Sequence, residues 1–139
     1  MERITIPNVL LNTIKTVENE HDEELYDFNM LKERSVRFFS GDWSKWSQLT
    51  QKEEPFDIIL TAETIYNSDN QQKLLNCIHD KLKVDGVALI AAKTYYFGVG
   101  GGLRQFEQLI DKDKRFTYKT VWVSTEGVNR EIIELKKVI

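Results

Sequence analysis

Three short runs hold the side chains with the means to do chemistry. Glu63 stands three residues before Tyr66 in the run Glu63-Thr64-Ile65-Tyr66-Asn67, Asp42 lies between Gly41 and Trp43, and Tyr96-Phe97 lead into Gly98-Val99-Gly100-Gly101-Gly102. A carboxylate accepts N–H groups, an indole or phenol ring covers a flat ligand, and glycines let a backbone approach a bound molecule closely. The glycine run is no phosphate cradle. It lacks the Lys-Ser/Thr pair of a P-loop, and Leu103 stands where a GxGxxG motif needs its last glycine, so nucleotide hydrolysis is rejected. One cysteine, Cys77, cannot form an internal disulfide, and His21 and His79 are too far apart in sequence to suggest a metal cage.

Those runs need elements to position them, and the chain supplies an alternation of strand and helix signals. The β-branched and aromatic run from Ser35 to Ser40 predicts a strand stopped by Gly41-Asp42, and Ile58-Ile59-Leu60, ending at Thr61, predicts a buried parallel strand. Leu74, Leu75, Ile78 and Leu82 fall at helical spacing behind Asp69 as a capping residue. Asp85-Gly86 predicts a turn into a strand over 87–92, and Phe106, Leu109 and Ile110 a helix after the glycine run. Two further strands, 116–124 and 131–138, flank Gly127-Val128-Asn129 as an antiparallel hairpin. This is an α/β pattern, in which ligands bind beyond the carboxyl ends of the strands: after Ser40, after Leu60 and after Ala92. Upstream, Ile4 to Ile14 predicts a short helix, and the acidic stretch 17–33, with Glu18, Glu20, Asp22, Glu23 and Glu24, an exposed insertion.

With 139 residues, one domain spanning 1–139 is the expectation. Apolar residues at 41% and charged ones at 29% are ordinary for a globular chain, and no apolar run is long enough for a membrane helix. The net charge of -3 lacks the basic excess that phosphate-backbone binding requires, so neither nucleic acid nor membrane is an expected partner. Nothing suggests secretion, and the expected location is cytoplasm or nucleus.

Taken in register, ETIYN after FDIIL, YFGVGGG after ALIAAK and FFSGDW upstream resemble the histidine protein methyltransferases, within the class I, seven-strand S-adenosylmethionine-dependent group. The opening ITIPNVLLN is similar to that family's helix after its second strand, so the resemblance covers nearly the whole chain. It implies a Rossmann-like class I methyltransferase sheet with a C-terminal antiparallel hairpin, lacking the first two strands. Those strands carry the family's glycine-rich cofactor loop and ribose carboxylate. Exposed strand edges are then expected to favour pairing with another polypeptide.

The same resemblance assigns roles. S-adenosylmethionine is the implied cofactor, with Gly41, Asp42, Trp43, Thr61 and Ala62 beside it. Glu63 and Tyr66, similar to the acidic-x-x-Tyr motif of related protein methyltransferases, take the catalytic place, and Asn67, Tyr96, Phe97, Gly98, Gly100 and Gly101 the substrate side. The implied substrate is a histidine of a protein, by resemblance a large-subunit ribosomal protein. An imidazole with a pKa of about 6.5 is mostly neutral at pH 7 and needs alignment more than a base. Glu63 is expected to hold the imidazole by its other N–H. Simpler readings stand beside these: a Gly-Asp turn with Trp43 and Trp46 packing, a helix-start carboxylate at Glu63, and a glycine connector. The missing glycine-rich cofactor loop supports a second alternative, a methyltransferase-like binding or scaffold module that has lost cofactor binding. A lysine methyltransferase is a further alternative on the same fold.

Overall fold

The computed structural model describes residues 36–127 and 129–139, and before them Asn8–Val9, Val17–Glu18 and Glu24–Leu25. The chain divides into two compact units, Met1–Ser40 and Gly41–Ile139. In the first, Asn8 and Val9 are helical, and β1 (Val17–Glu18) pairs antiparallel with β2 (Glu24–Leu25). The remainder of the expected first helix and of the acidic stretch 17–33 lies outside the described residues. Residues 36–40, expected to form a strand, belong to neither helix nor strand. Their β-favouring side chains need a neighbouring ladder to express that preference.

In the second unit, a single 3-10 turn over Trp43–Lys45 runs into α1 (Trp46–Leu49), followed by β3 (Phe56–Ala62), α2 (Ser68–Lys81), β4 (Leu82–Lys93), α3 (Leu103–Asp113), β5 (Phe116–Val123) and β6 (Arg130–Lys137). The sheet has the order β3-β4-β6-β5. β3 and β4 run parallel, joined through α2, while β6 is antiparallel to both β4 and β5. The α/β class and the C-terminal hairpin are therefore as the sequence predicts.

Alternation along β4 explains the layering. Ala88, Ile90 and Ala92 are buried beneath Leu74, Leu75 and Ile78 of α2 and Leu103, Phe106 and Ile110 of α3, together with Ile133 and Leu135 of β6. The intervening Leu89 and Ala91 face the opposite side, where they line a shallow groove with Leu60, Ala62 and Ile132. Buried Lys81 ends α2 by donating to the carbonyls of Thr50, at 2.5 Å, and Glu53, at 3.3 Å, which ties the segment after α1 to the helix.

Three local expectations are corrected. Asn67, not Asp69, caps α2: its side-chain oxygen accepts the Asp69 N–H at 2.9 Å, and Asp69 adds negative charge to the first turn. Asp85-Gly86 makes no turn but lies inside the continuous β4, at an irregularity where Phe56 pairs with Leu82 and Ile58 with Val87. A Cβ on Gly86 would sit 2.8 Å from Leu82 Cδ1 and 3.0 Å from the Asp57 carbonyl, so glycine is required by close approach. Finally, β3 is not buried. It is the edge strand of this sheet, and Ile58 and Leu60 are 63% and 72% exposed. Its apolar run is of the kind that suits a strand covered on both faces, whereas α2 covers only one.

Because Phe106 is fully buried between α3 and the sheet, Phe106→Ala is expected to cost about 3 to 5 kcal/mol in urea unfolding. Leu109→Ala, on the half-buried flank of the same helix, should cost distinctly less.

Candidate functional site

The carboxyl ends of β3 and β4 and the start of β6 meet at one edge of the sheet, because Ala62 pairs with Ala91 and Lys93 with Arg130. Beyond Ala62 the ladder continues for one more bond, from the Glu63 N–H to the Ala91 carbonyl at 2.9 Å. There the chain turns sharply, with Glu63 at a φ of 55°. A non-glycine residue in that left-handed region is strained by about 1 kcal/mol or more and persists only where its surroundings fix it. The surroundings are evident: Tyr96 Oη donates to Glu63 Oε2 at 2.8 Å, and Arg130 Nε lies 3.4 Å from Oε1. Two residues on, Ile65 is fully buried, and its carbonyl accepts from Gln71 Nε2 at 2.8 Å.

Tyr96 is the support beneath this carboxylate. Its ring is buried, its oxygen accepts the Lys93 N–H at 3.2 Å, and Tyr66 meets it edge-on with ring centroids 6.3 Å apart. Burial, joined by the neighbouring Glu63 carboxylate, pushes the phenol above its ordinary value of 10.0, so Tyr96 is a proton donor throughout the neutral range. Lys93 Nζ stands 5.4 Å from the same ring. Tyr66 remains half exposed.

The glycine run closes the edge for geometric reasons. A Cβ on Gly101 would lie 2.1 Å from the Tyr66 carbonyl, and one on Gly102 2.7 Å from the Thr94 carbonyl, so the loop can lie against these backbones only without side chains. Gly98 and Gly100 have φ of 78° and 84° and open space around them. Phe97 is 90% exposed and stacks edge-to-face on Tyr95 at 5.0 Å. Asn67 is engaged as the cap of α2.

On the α2 side of β3 an open groove of about 400 Å³ is lined by Trp43, Trp46, Ile58, Leu60, Thr61, Thr64 and Cys77, among others. Its volume is in the range of small-molecule sites, and an indole among aliphatic walls suits a flat heteroaromatic base. Thr61 and Thr64 share a hydroxyl hydrogen bond of 2.6 Å at its end. Asp42 accepts from the Ser44 N–H at 2.8 Å and hydroxyl at 2.6 Å and from Lys73 Nζ at 3.1 Å. These bonds, Ser44's foremost, draw the exposed carboxyl down to about 2 and keep it an acceptor. Burial raises the Cys77 thiol to about 11, which makes it a poor nucleophile.

Of the residues singled out from sequence, the structure brings Trp43 and Thr61 together in this groove, with Gly41 and Asp42 adjoining Trp43 in the chain. Ala62, one residue further along the pleat, lines the groove on the other face. Glu63, Tyr66 and Tyr96 form a second group at the strand ends, with the glycine loop beside them. Sequence reasoning missed Arg130 and Lys93. Only the β4–β6 register, which sets Arg130 opposite Lys93, carries Arg130 to Glu63, and no local motif encodes it.

Two measurements check this geometry. Gly101→Ala should lower the melting temperature more than Gly98→Ala, which meets only the strain of a positive φ, about 1 kcal/mol. In a spectrophotometric titration, Glu63→Gln should move the Tyr96 phenol back toward 10.0. Since the folded-state value is raised, the stability linked to Tyr96 is complete below about pH 10 and is lost as pH rises through the folded-state value.

Residues 7–111 match the model of a family described as lysine methyltransferase. The histidine protein methyltransferase 1 homolog of Dictyostelium discoideum is 40% identical over 136 residues, covering 91% of this chain and 44% of that protein. The Bos taurus homolog is 35% identical over 147 residues, covering 97% and 39%. Histidine protein methyltransferase 1 of Saccharomyces cerevisiae is 30% identical over 141 residues, covering 78% and 37%. The chain thus spans less than half the length of these curated relatives. Matched over most of its length by the family model, the chain belongs to the methyltransferase family described as lysine methyltransferase, and the relatives it resembles carry the name histidine protein methyltransferase.

Proposed function

We propose that this chain forms the acceptor side of an S-adenosylmethionine-dependent protein methyltransferase whose target is a histidine side chain. The observation that carries the reading is the Glu63 carboxylate, held at the strand ends by Tyr96 and Arg130 beside a half-exposed Tyr66 and the glycine loop. The cofactor, when bound, supplies an electrophilic methyl group on a sulfonium. Trp43, Thr61 and Thr64 line the groove suited to its adenosine part, with Asp42 next to Trp43 as an ionised acceptor for an amine.

The residues of the chain do the rest by alignment. The Glu63 carboxylate, half exposed while bonded to Tyr96 and Arg130, keeps free lone pairs to accept the N–H of the acceptor imidazole, which leaves the imidazole's other nitrogen unprotonated and directed away from the carboxylate. Tyr96 donates to Glu63 and keeps it from rotating. Tyr66, half exposed beside Tyr96, and the exposed Phe97 are free to border the acceptor, while Gly98 and Gly100 leave room for a peptide backbone. The substrate is a protein, and a ribosomal protein of the large subunit in cytoplasm or nucleus fits the resemblance carried by the ETIYN and GVGGG runs.

The family's description makes lysine the second reading. A lysine, with a reference pKa of about 10.4, must lose a proton before it can attack, and a carboxylate against it favours the charged form. Histidine carries no such demand, and the site therefore suits imidazole better.

The test uses peptides identical except for His or Lys at one position, with methyl-labelled cofactor. Label should enter the His peptide, and Glu63→Gln should reduce the rate roughly 10- to 100-fold. Label in the Lys peptide alone overturns the reading. Independently, S-adenosylhomocysteine should protect Cys77 from alkylation at pH 9 to 10, since Cys77 lines the same groove as Trp43.

A further inference from the structure

We infer that Arg130 is a specificity-determining residue: its guanidinium beside Glu63, with Lys93 next to it, sets the acceptor pocket against a cationic lysine and in favour of a neutral imidazole. The inference rests on the acceptor role of Glu63 proposed above and goes beyond it by naming what selects the acceptor.

Among the described residues the charges at the strand ends can be followed by element. Glu63 directly follows β3, β4 ends in Lys93, and β6 begins with Arg130, which pairs across the sheet with Lys93. Glu131, the next residue of β6, alternates to the helix-covered face, where it is buried and bonded to Arg104. It therefore adds no negative charge on the side of Glu63. The acceptor carboxylate is paired with the Arg130 guanidinium, while Lys93, opposite Arg130 in the register, holds its ammonium 5.4 Å from the Tyr96 ring.

The placement of Arg130 is fixed by backbone. Its N–H donates to Ser124 Oγ at 2.9 Å, and its carbonyl accepts the Ser124 N–H at 2.8 Å, closing the β5–β6 connection. As a stabilising device the pair would be poor. The Arg130 and Glu63 side chains are 50% and 46% exposed, and exposed ion pairs contribute little to folding. Its consequence is electrostatic. Without Arg130, Glu63 would attract an ammonium ion and hold it in its protonated, non-nucleophilic form. With Arg130 in place, an incoming ammonium meets opposed charges, while a neutral imidazole still finds a hydrogen-bond acceptor and forfeits nothing.

The experiment is calorimetry of two blocked peptides, Gly-Gly-His-Gly-Gly and Gly-Gly-Lys-Gly-Gly, against the protein at pH 7.5 with S-adenosylhomocysteine present. Wild type, Arg130→Gln and Arg130→Lys are compared, with thermal melts confirming that each is folded. The wild type should prefer the His peptide. Arg130→Gln should raise the ratio of Lys-peptide to His-peptide affinity by about five- to tenfold, whereas Arg130→Lys, which keeps the charge, should retain the wild-type preference. An unchanged His-to-Lys ratio in a folded Arg130→Gln, or an Arg130→Lys that behaves like it, overturns the inference while the acceptor role stands. A wild type that binds neither peptide overturns the acceptor role, and this inference with it.

Discussion

The hydrogen bond from the Glu63 N–H to the Ala91 carbonyl is the constraint on which the site depends. It carries the parallel β3–β4 ladder one residue past Ala62 and forces the next step of the chain into a left-handed turn. That turn does two things at once. It sends Ile65 into the core beneath α2, and it brings the Glu63 carboxylate back over the strand ends toward Tyr96 and Arg130. A one-residue slip of β3 against β4 would place a different side chain at the turn and break both outcomes. Strain at Glu63 is thus the local cost of coupling a folding contact to a chemical one.

What was legible in the sequence follows from which interactions are local. The helices over Ser68–Lys81 and Leu103–Asp113 announce themselves through Leu74, Leu75, Ile78 and through Phe106 and Ile110, because a helix face repeats within a few residues. The C-terminal hairpin is likewise local. Glu63, Tyr66 and Trp43 stood out because they directly follow strand or turn signals, where open α/β sheets gather their ligands. Illegible were the features that need the assembled sheet. The expected turn at Asp85-Gly86 became an interior irregularity of β4, because tertiary pairing with β3 overrode a turn dipeptide. The expected burial of β3 failed because burial depends on which strand lies at the edge, and an apolar run is silent on that point.

The two grooves along β3 explain the composition of that strand. Ile58 and Leu60 are exposed, yet they wall the groove that also holds Trp43 and Trp46, and Leu60 borders the second groove on the other face with Leu89 and Ile132. An apolar run that walls a groove reads in sequence like a strand buried in a core, since both carry aliphatic side chains on both faces. The distinction lies in Thr61 and Thr64, whose paired hydroxyls end the aliphatic wall with polar groups. Pockets that hold small molecules commonly combine such apolar walls with a few fixed polar groups.

Support of the Glu63 carboxylate from beneath, by Tyr96, has a different physical character from its pairing at the side with Arg130. Tyr96 is buried, and burial together with Glu63 raises its phenol, so the proton stays on Tyr96 Oη across neutral pH and the bond to Glu63 keeps one direction. Arg130 is half exposed, and its contribution is screened by solvent and salt. Orientation of the carboxylate therefore comes from the tyrosine, and the local potential from the arginine. The division matters because the tyrosine acts through geometry that salt does not alter, whereas the arginine acts through a field that it does.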